Sequence, residues 1–346
     1  MTLLYTFVNK SKIIKNMAKD LFSIRLREAR LMMGLSMDKL VERAGGVITK
    51  QSISRYEKGI MHPKRDAMIA LTRALCISEA YFKGTNLKID MPMLRTTSNG
   101  MLSDEELQAL EAQLSFWTEQ YLDKEQKADI TSCFVNPIKG MAISTMEDAI
   151  KAADILREKW HCGDGPIASI VRLLERKGIK IMSGNLPDNV LGLSTWANKK
   201  YPLIVLDFQQ TKTSVECLRF TACHELAHLL LTFPEESEFG LEKRCNMFAS
   251  YFLFPKETFI SEMGGTWRES LTLEEMIDLK ELYGVSIAAQ VHEAWDLKMI
   301  TREHYDCWYD ERINKNRKEI AWGEYKFPET VGREKRIESR INNIKH

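Results

Sequence analysis

Two histidines four residues apart, with a glutamate beside the first, are the residues of this chain best suited to chemistry: Cys223-His224-Glu225-Leu226-Ala227-His228. They lie in a run from Arg219 to Leu231 that lacks glycine and proline and is rich in helix formers, so the run is read as a helix. On a helix, positions 224 and 228 stand one above the other. Both imidazoles can then reach one metal ion at the bond length of about 2.0–2.1 Å that zinc takes to nitrogen. Glu225 is rotated from them by about 100°. That makes it a poor third ligand but a good neighbour for a water whose pKa zinc lowers toward about 7, and for which a carboxylate is the base. The spacing is that of a zinc hydrolase. The plainer alternative is a pair of histidines on a buried helix face, each satisfied by hydrogen bonds.

A catalytic zinc takes three protein ligands and leaves one position open. Downstream, Leu241 to Pro255 reads as a second helix, and Glu242 near its start is the candidate third ligand. Glu235, Glu236 and Glu238 compete with it, from a stretch with the look of a solvated acidic loop. Asn246 shares a helix face with Glu242 and Ala249, a position from which a side chain can orient a ligand from behind. Cys223 and Cys245 adjoin these positions and read either as thiolates competing for metal or as small buried residues. His161, Tyr251, His292 and His304 are the candidates for stabilising a transition state.

Arg219-Phe220-Thr221 ahead of the histidine pair, then Glu242, Asn246, Phe248-Ala249 and a closing Pro255, resemble the ImmA/IrrE metallopeptidase family. The resemblance spans roughly residues 145–260 and takes in Trp160, the helix start at Gly163–Leu174, the Gly178 turn and Leu203–Asp207. It implies that His224, His228 and Glu242 hold zinc and that Glu225 is the general base. It also implies a regulatory setting, since a DNA-binding module ahead of the peptidase is a known arrangement in this family.

The elements that must position these residues are legible in part. Ser103-x-x-Glu106 is a capping box that opens a long helix to about Lys127. Met146 to about Trp160 and Pro166 to Arg176 read as helices, with Gly178 ending the second. Ile179–Met182, Leu191–Trp196 and Leu203–Asp207 are short bounded apolar runs, read as strands. Beyond the site, Leu271–Tyr283 and Ile287–Met299 flank Gly284-Val285-Ser286 as two helices about a tight turn. Their balanced charge points to a packing or substrate-holding domain rather than a second DNA reader, and the segment resembles the C-terminal extension of many ImmA/IrrE-like proteins. Arg333–His346 reads as a charged helix or tail.

The N-terminal region carries a different pattern. Leu21, Ile24, Leu26 and Leu31 line one helix that ends near Gly34; Ser36 caps a second; Gly45-Gly46 stops it; Thr49 caps a third, Lys50 to Lys58; Pro63 opens a fourth. This is a helix-turn-helix, with Lys50, Gln51, Ser52 and Arg55 presented to a major groove. Thr49 to Gly59 resembles the recognition helix of the XRE (Cro/C1-type) repressor family, and the resemblance extends over about 65 residues, with a turn, Gly45-Gly46-Val47-Ile48, one residue longer than the family's. Residues 1–86 hold 16 Lys and Arg against 7 Asp and Glu, in a chain whose net charge is only +1. A basic module ahead of an acidic body assigns the nucleic acid to the first part alone.

At 346 residues, with 44% hydrophobic and 28% charged, the chain is an ordinary globular protein of two or three domains. No apolar run approaches the roughly 20 residues of a transmembrane helix. Met1–Val8 is apolar but lacks a basic lead and makes a poor signal peptide; Met17 could be the natural start. Seven scattered cysteines without a CxxC pair suit a reducing cytoplasm.

The expected fold is multidomain and mainly α. An N-terminal all-α helix-turn-helix bundle occupies residues 17–86, a linker and long helix 87–130, a small α+β zincin-like peptidase domain 131–262, and a helical domain 263–346. The expected function is a zinc-dependent (Zn2+) endopeptidase in gene regulation that cleaves an XRE-type repressor or antitoxin. Its partners are duplex DNA and that protein substrate, with no membrane and with a homodimer conceivable. The alternative is a transcriptional regulator whose peptidase-like domain senses a ligand or binds a partner without cutting.

Overall fold

The computed structural model describes residues 21–84, 87–90, 103–131, 133–184, 186, 190–208, 214–234, 238–265 and 267–344. Most of the expected linker ahead of Ser103, the Met1–Val8 stretch and Met17 lie outside them. The chain is mainly helical with one small mixed sheet, and it divides into two compact units, Met1–Asp129 and Ile130–His346.

In the first unit, α1 (21–32), α2 (Met37–Arg43), α3 (Lys50–Glu57) and α4 (Arg65–Leu75) close around Leu26, Leu40, Ile53, Leu71 and Leu75, all essentially buried. Ser36 and Thr49 cap α2 and α3 through their side-chain oxygens, as their positions require. Pro63 does not open α4; Lys64 is its N-cap, so the proline lies one residue outside the helix. Gly45 and Gly46 turn the chain between α2 and α3, both left-handed at φ 68° and 72°. Val47 then swings into solvent while Ile48 stays in the core. Arg30 joins Glu57 at 2.6 Å and donates to the Leu35 carbonyl, tying α1 to the end of α3. A short 3-10 turn (Glu79–Lys83), the two-residue β1 (Ile89–Asp90) and α5 (Asp104–Lys127) follow. α5 starts at a capping box formed by Ser103 and Glu106, and Glu119 on its inner face pairs with the buried Arg25 of α1.

In the second unit, α6 (Met146–Trp160) and α7 (Ile170–Arg176) precede β2 (Lys180–Ser183), β3 (Gly192–Ala197) and β4 (Tyr201–Leu206). β4 runs parallel beside β2 and antiparallel beside β3, with Ser194 opposite Ile204. α7 starts later than Pro166 because Ser169 caps it, leaving the Ile167 and Ala168 carbonyls for other partners. Next comes α8 (Val215–Leu230), packed on β3 and β4, and then α9 (Glu238–Leu253), packed on α8 and α6. Ala222, Cys223, Leu226, Phe248 and Phe252 are sealed between them.

After α10 (Lys256–Glu262), α11 (Leu273–Tyr283) and α12 (Ile287–Asp296) turn about Gly284, which is left-handed at φ 63°. α13 (Arg302–Trp308) packs on α12, and α14 (Arg333–Ile344) ends the described chain. Tyr325 and Glu329, between α13 and α14, return to the start of α7: the Tyr325 hydroxyl donates to the Ile167 and Ala168 carbonyls, and Glu329 accepts from the Ile170 and Val171 amides.

Candidate metal centre

α8 and α9 form an antiparallel hairpin with a regular register. His228 faces Glu242, and His224 faces Asn246 one turn further along. The helix period puts 224 and 228 on one stripe of α8, and 242 and 246 on one stripe of α9. The two stripes face each other because the opposite sides of both helices are apolar and buried.

Three side chains converge there. His224 Nε2 and His228 Nε2 are 3.0 Å apart, Glu242 Oε2 is 3.2 Å from His224 Nε2, and Glu242 Oε1 is 3.5 Å from His228 Nε2. A tetrahedral ion with bonds of about 2.0–2.2 Å requires its ligand atoms roughly 3.3–3.6 Å apart. The donor set and its spacing therefore fit a zinc ion, which would draw the three atoms into an open three-ligand cap. These are the three ligands expected from the sequence. Of the competing carboxylates, Glu235, Glu236 and the Glu238 side chain lie outside the described residues.

The far nitrogens of both rings are held by consecutive residues of α9. With each Nε2 turned to the centre, each Nδ1 carries the proton. His224 Nδ1 donates to Asn246 Oδ1 at 2.8 Å, and His228 Nδ1 faces the Cys245 sulfur at 3.7 Å. The role read for Asn246 from its helix face thus has a geometric counterpart. Cys245 reads in the sequence only as a metal competitor or a core residue, whereas it stands behind His228. Burial pushes its thiol well above the ordinary range, as it does for the fully buried Cys223.

Charge in the centre is unevenly shared. Burial works against a charged His224, but the Glu242 hydrogen bond and the nearby Glu225 and Glu242 charges outweigh it and leave its pKa above the ordinary value. Burial and the charge of His224 push His228 down to about 4. A divalent cation held there would present a positive charge that both Nε2 atoms can face.

Glu225 lies beside this cap and is about nine-tenths buried. Burial raises its pKa, opposed by hydrogen bonds from the hydroxyl and backbone N–H of Ser194 on β3. Gly192, two residues earlier on β3, leaves room for it. A Cβ there would stand 2.4 Å from Thr221 Cγ2 and 3.1 Å from Glu225 Cγ. Sequence reasoning misses both Ser194 and Gly192. A glycine at a strand start is the one available signal of close approach.

The remaining candidates are engaged elsewhere. His161 caps the C-terminus of α6 in a left-handed conformation. The Tyr251 hydroxyl donates to Glu293, His292 Nδ1 pairs with Asp296 at 3.3 Å, and His304 Nε2 accepts from the Leu271 amide and the Trp308 indole. α12 presents Ala288, Ala289, His292 and Trp295 rather than a basic stripe, in line with a packing role for the second helix pair.

In the first unit, Lys50, Gln51 and Arg55 are exposed on the outer face of α3, while Ile53 and Tyr56 point into the core. Ser52 is half-buried, its hydroxyl 2.9 Å from that of Thr49. Lys50 reaches Asp38 at 2.7 Å across solvent, a pair weak enough to yield to a phosphate. Among the described residues, no helix is long and apolar enough to cross a membrane.

Comparison with known families gives two matches. Residues 26–82 match the helix-turn-helix family model, covering most of α1 and all of α2 to α4. Residues 174–294 match the IrrE N-terminal-like domain, a peptidase family, from the end of α7 through the site and into α12. No curated protein matches the chain. The chain thus carries, in order, an XRE-type helix-turn-helix domain and an IrrE/ImmA-like peptidase domain.

Proposed function

We propose that this chain is a zinc-dependent endopeptidase of gene regulation, which cuts an XRE-type repressor or antitoxin and binds duplex DNA through residues 17–86. The observation that carries the reading is the convergence of His224, His228 and Glu242 within 4.8 Å of one another, with the buried Glu225 alongside.

Zinc bound by these three side chains supplies Lewis acidity toward a peptide carbonyl and makes water acidic enough to attack near neutral pH. Glu225 accepts the proton of the attacking water and passes it to the nitrogen of the departing amine. Its burial favours this, because a carboxylate with a raised pKa is a stronger base and a slower proton donor to bulk water. Ser194 aims the carboxylate from β3, and Asn246 and Cys245 hold the imidazoles. On α3, Gln51 and Ser52 read base edges, and Lys50 and Arg55 bind bases or phosphates.

The test is incubation of the wild type and Glu225→Gln with repressors of the XRE type, read by mass spectrometry of the products. The wild type is expected to give defined fragments that vanish on chelation, and Glu225→Gln is expected to keep its zinc but give none. Zinc-loaded wild type that leaves every such repressor intact would leave a DNA-binding regulator without proteolysis.

A further inference from the structure

The α8–α9 register does not stop at the candidate metal centre. Beyond the His224–Asn246 pair it continues through Phe220 facing Ser250 and Cys217 facing Leu253, and these four residues line one wall of a cavity of about 630 Å3. That volume falls within the range of about 300–1,000 Å3 of ordinary ligand pockets. Phe220 joins the two regions directly, its ring centroid 6.4 Å from that of His224. The opposite wall is Val285, Ala288 and Ala289 at the start of α12. Ile320 forms part of the rim and is 70% exposed, a large apolar side chain in solvent.

The buried charged groups of this cavity are satisfied among themselves, while Arg317 and Lys318 stand exposed at its mouth. Lys280 meets Glu319 at 2.8 Å and Glu216 at 3.9 Å, and Glu319 also accepts from the Ala288 amide. The three side chains are nearly closed to solvent. The buried part of the polar wall is therefore a closed ionic cluster, and the interior left for recognition is mainly the apolar surface of Phe220, Leu253, Val285, Ala288 and Ala289.

We propose that this cavity is a specificity pocket of the peptidase and takes an apolar side chain of the polypeptide substrate. The proposal rests on the peptidase reading above. Cys217 lies seven residues before His224 on one helix face, about 10 Å along the axis. An extended peptide advances about 3.3 Å per residue, so the side chain that fills the pocket lies about three residues from the cut bond. Leucine, methionine or phenylalanine fits this chemistry. Lysine does not, because the carboxylates of the buried cluster are already paired and the cations at the mouth repel it.

The experiment uses full-length Glu225→Gln loaded with zinc and a dye-labelled positional-scanning decapeptide library, read by fluorescence anisotropy, with wild-type cleavage of the same library in parallel. An apolar residue at one position is expected to tighten binding about tenfold or more over alanine there. Ala289→Trp in the same background, which fills the pocket from α12, is expected to remove that preference at unchanged zinc content. Ser250→Leu, which fills it from α9, serves where the tryptophan variant does not fold. Binding without positional preference, or a preference that survives both fillings, overturns the pocket. Wild-type cleavage without apolar preference overturns the pocket and leaves the peptidase standing. A pocket-dependent preference with no cleavage by the wild type keeps the binding site and sinks the peptidase.

Discussion

Arg219, five residues before His224, meets Glu329 at 2.6 Å with both side chains closed off from solvent. The guanidinium also donates to the Ile167, Tyr283 and Gly284 carbonyls and stacks over Tyr325 at 4.2 Å. Glu329 in turn caps α7 through the Ile170 and Val171 amides. One ion pair thus ties the helix bearing the candidate site to α7, to the α11–α12 turn and to the segment before α14.

Breaking that pair should be costly. Glu329→Ala strands a buried cation and leaves the α7 amides open, so it is expected to destabilise the second unit by about 3–5 kcal/mol. Glu329→Gln retains an acceptor and should cost less. Urea unfolding followed by tryptophan fluorescence measures both; an alanine variant as stable as the parent would mean that the pair contributes nothing net.

The residues behind the imidazoles should set metal affinity. His224→Ala, His228→Ala or Glu242→Ala is expected to abolish stoichiometric zinc. Asn246→Ala and Cys245→Ala should weaken zinc by about 10–100-fold, the range for removal of a partner that orients a ligand. Asn246→Ala should have the larger effect, because sulfur is the weaker acceptor. Competition against a chelator reads these constants, with Cys245→Ser restoring part of the loss. Unchanged affinity in both alanine variants would reduce the contacts to packing.

Gly192→Ala tests the placement of Glu225. The added methyl would collide with Thr221 and crowd Glu225, so β3 or the carboxylate must shift. A 1 Å displacement of a catalytic group can cost about 100-fold in rate. Cleavage should fall by that order while zinc content stays at the parent level. A fully active Gly192→Ala would show that β3 does not position the base.

The first unit should respond to pH through Glu28. Burial raises its pKa to about 7, against the pull of Arg25, so the folded state prefers the neutral acid. The sign follows: this contribution is fully present below the ordinary carboxylate range and is lost as pH rises through about 7. It amounts to at most about 3 kcal/mol. Hydrogen-exchange protection of the α1 amides should therefore decline between pH 5 and 8 in the parent and less so in Glu28→Gln. Parallel declines in the two proteins would assign the effect to other groups.

DNA binding should reside on α3. Residues 17–86 are expected to bind a duplex with affinity that falls steeply with salt. Gln51→Ala should relax base preference, and Lys58→Ala should weaken all sequences alike. Gel-shift titrations across salt concentrations check both, and no binding at low salt would make the unit a protein-interaction bundle.

Features set by neighbours along the chain are legible in the amino-acid sequence itself. Helical periodicity alone stacks His228 over His224 and turns Glu225 aside. Ser36, Thr49 and Ser103 mark helix starts because a short polar side chain satisfies the amides of the very next turn. Periodicity also suffices to put Glu242 and Asn246 on one face of α9.

The rest requires tertiary packing, because it joins residues whose separation no local pattern encodes. Which stripe of α9 faces α8 depends on how both helices bury their apolar sides, and only that register brings Cys245 behind His228 rather than into the bare core. Ser194 and Gly192 meet Glu225 because α8 lies across β3. Glu329 reaches Arg219 from 110 residues downstream. The sequence determined which side chains share a stripe of α8; packing decided which residues of α9 and β3 meet them, because helix and sheet bury their apolar sides against one another.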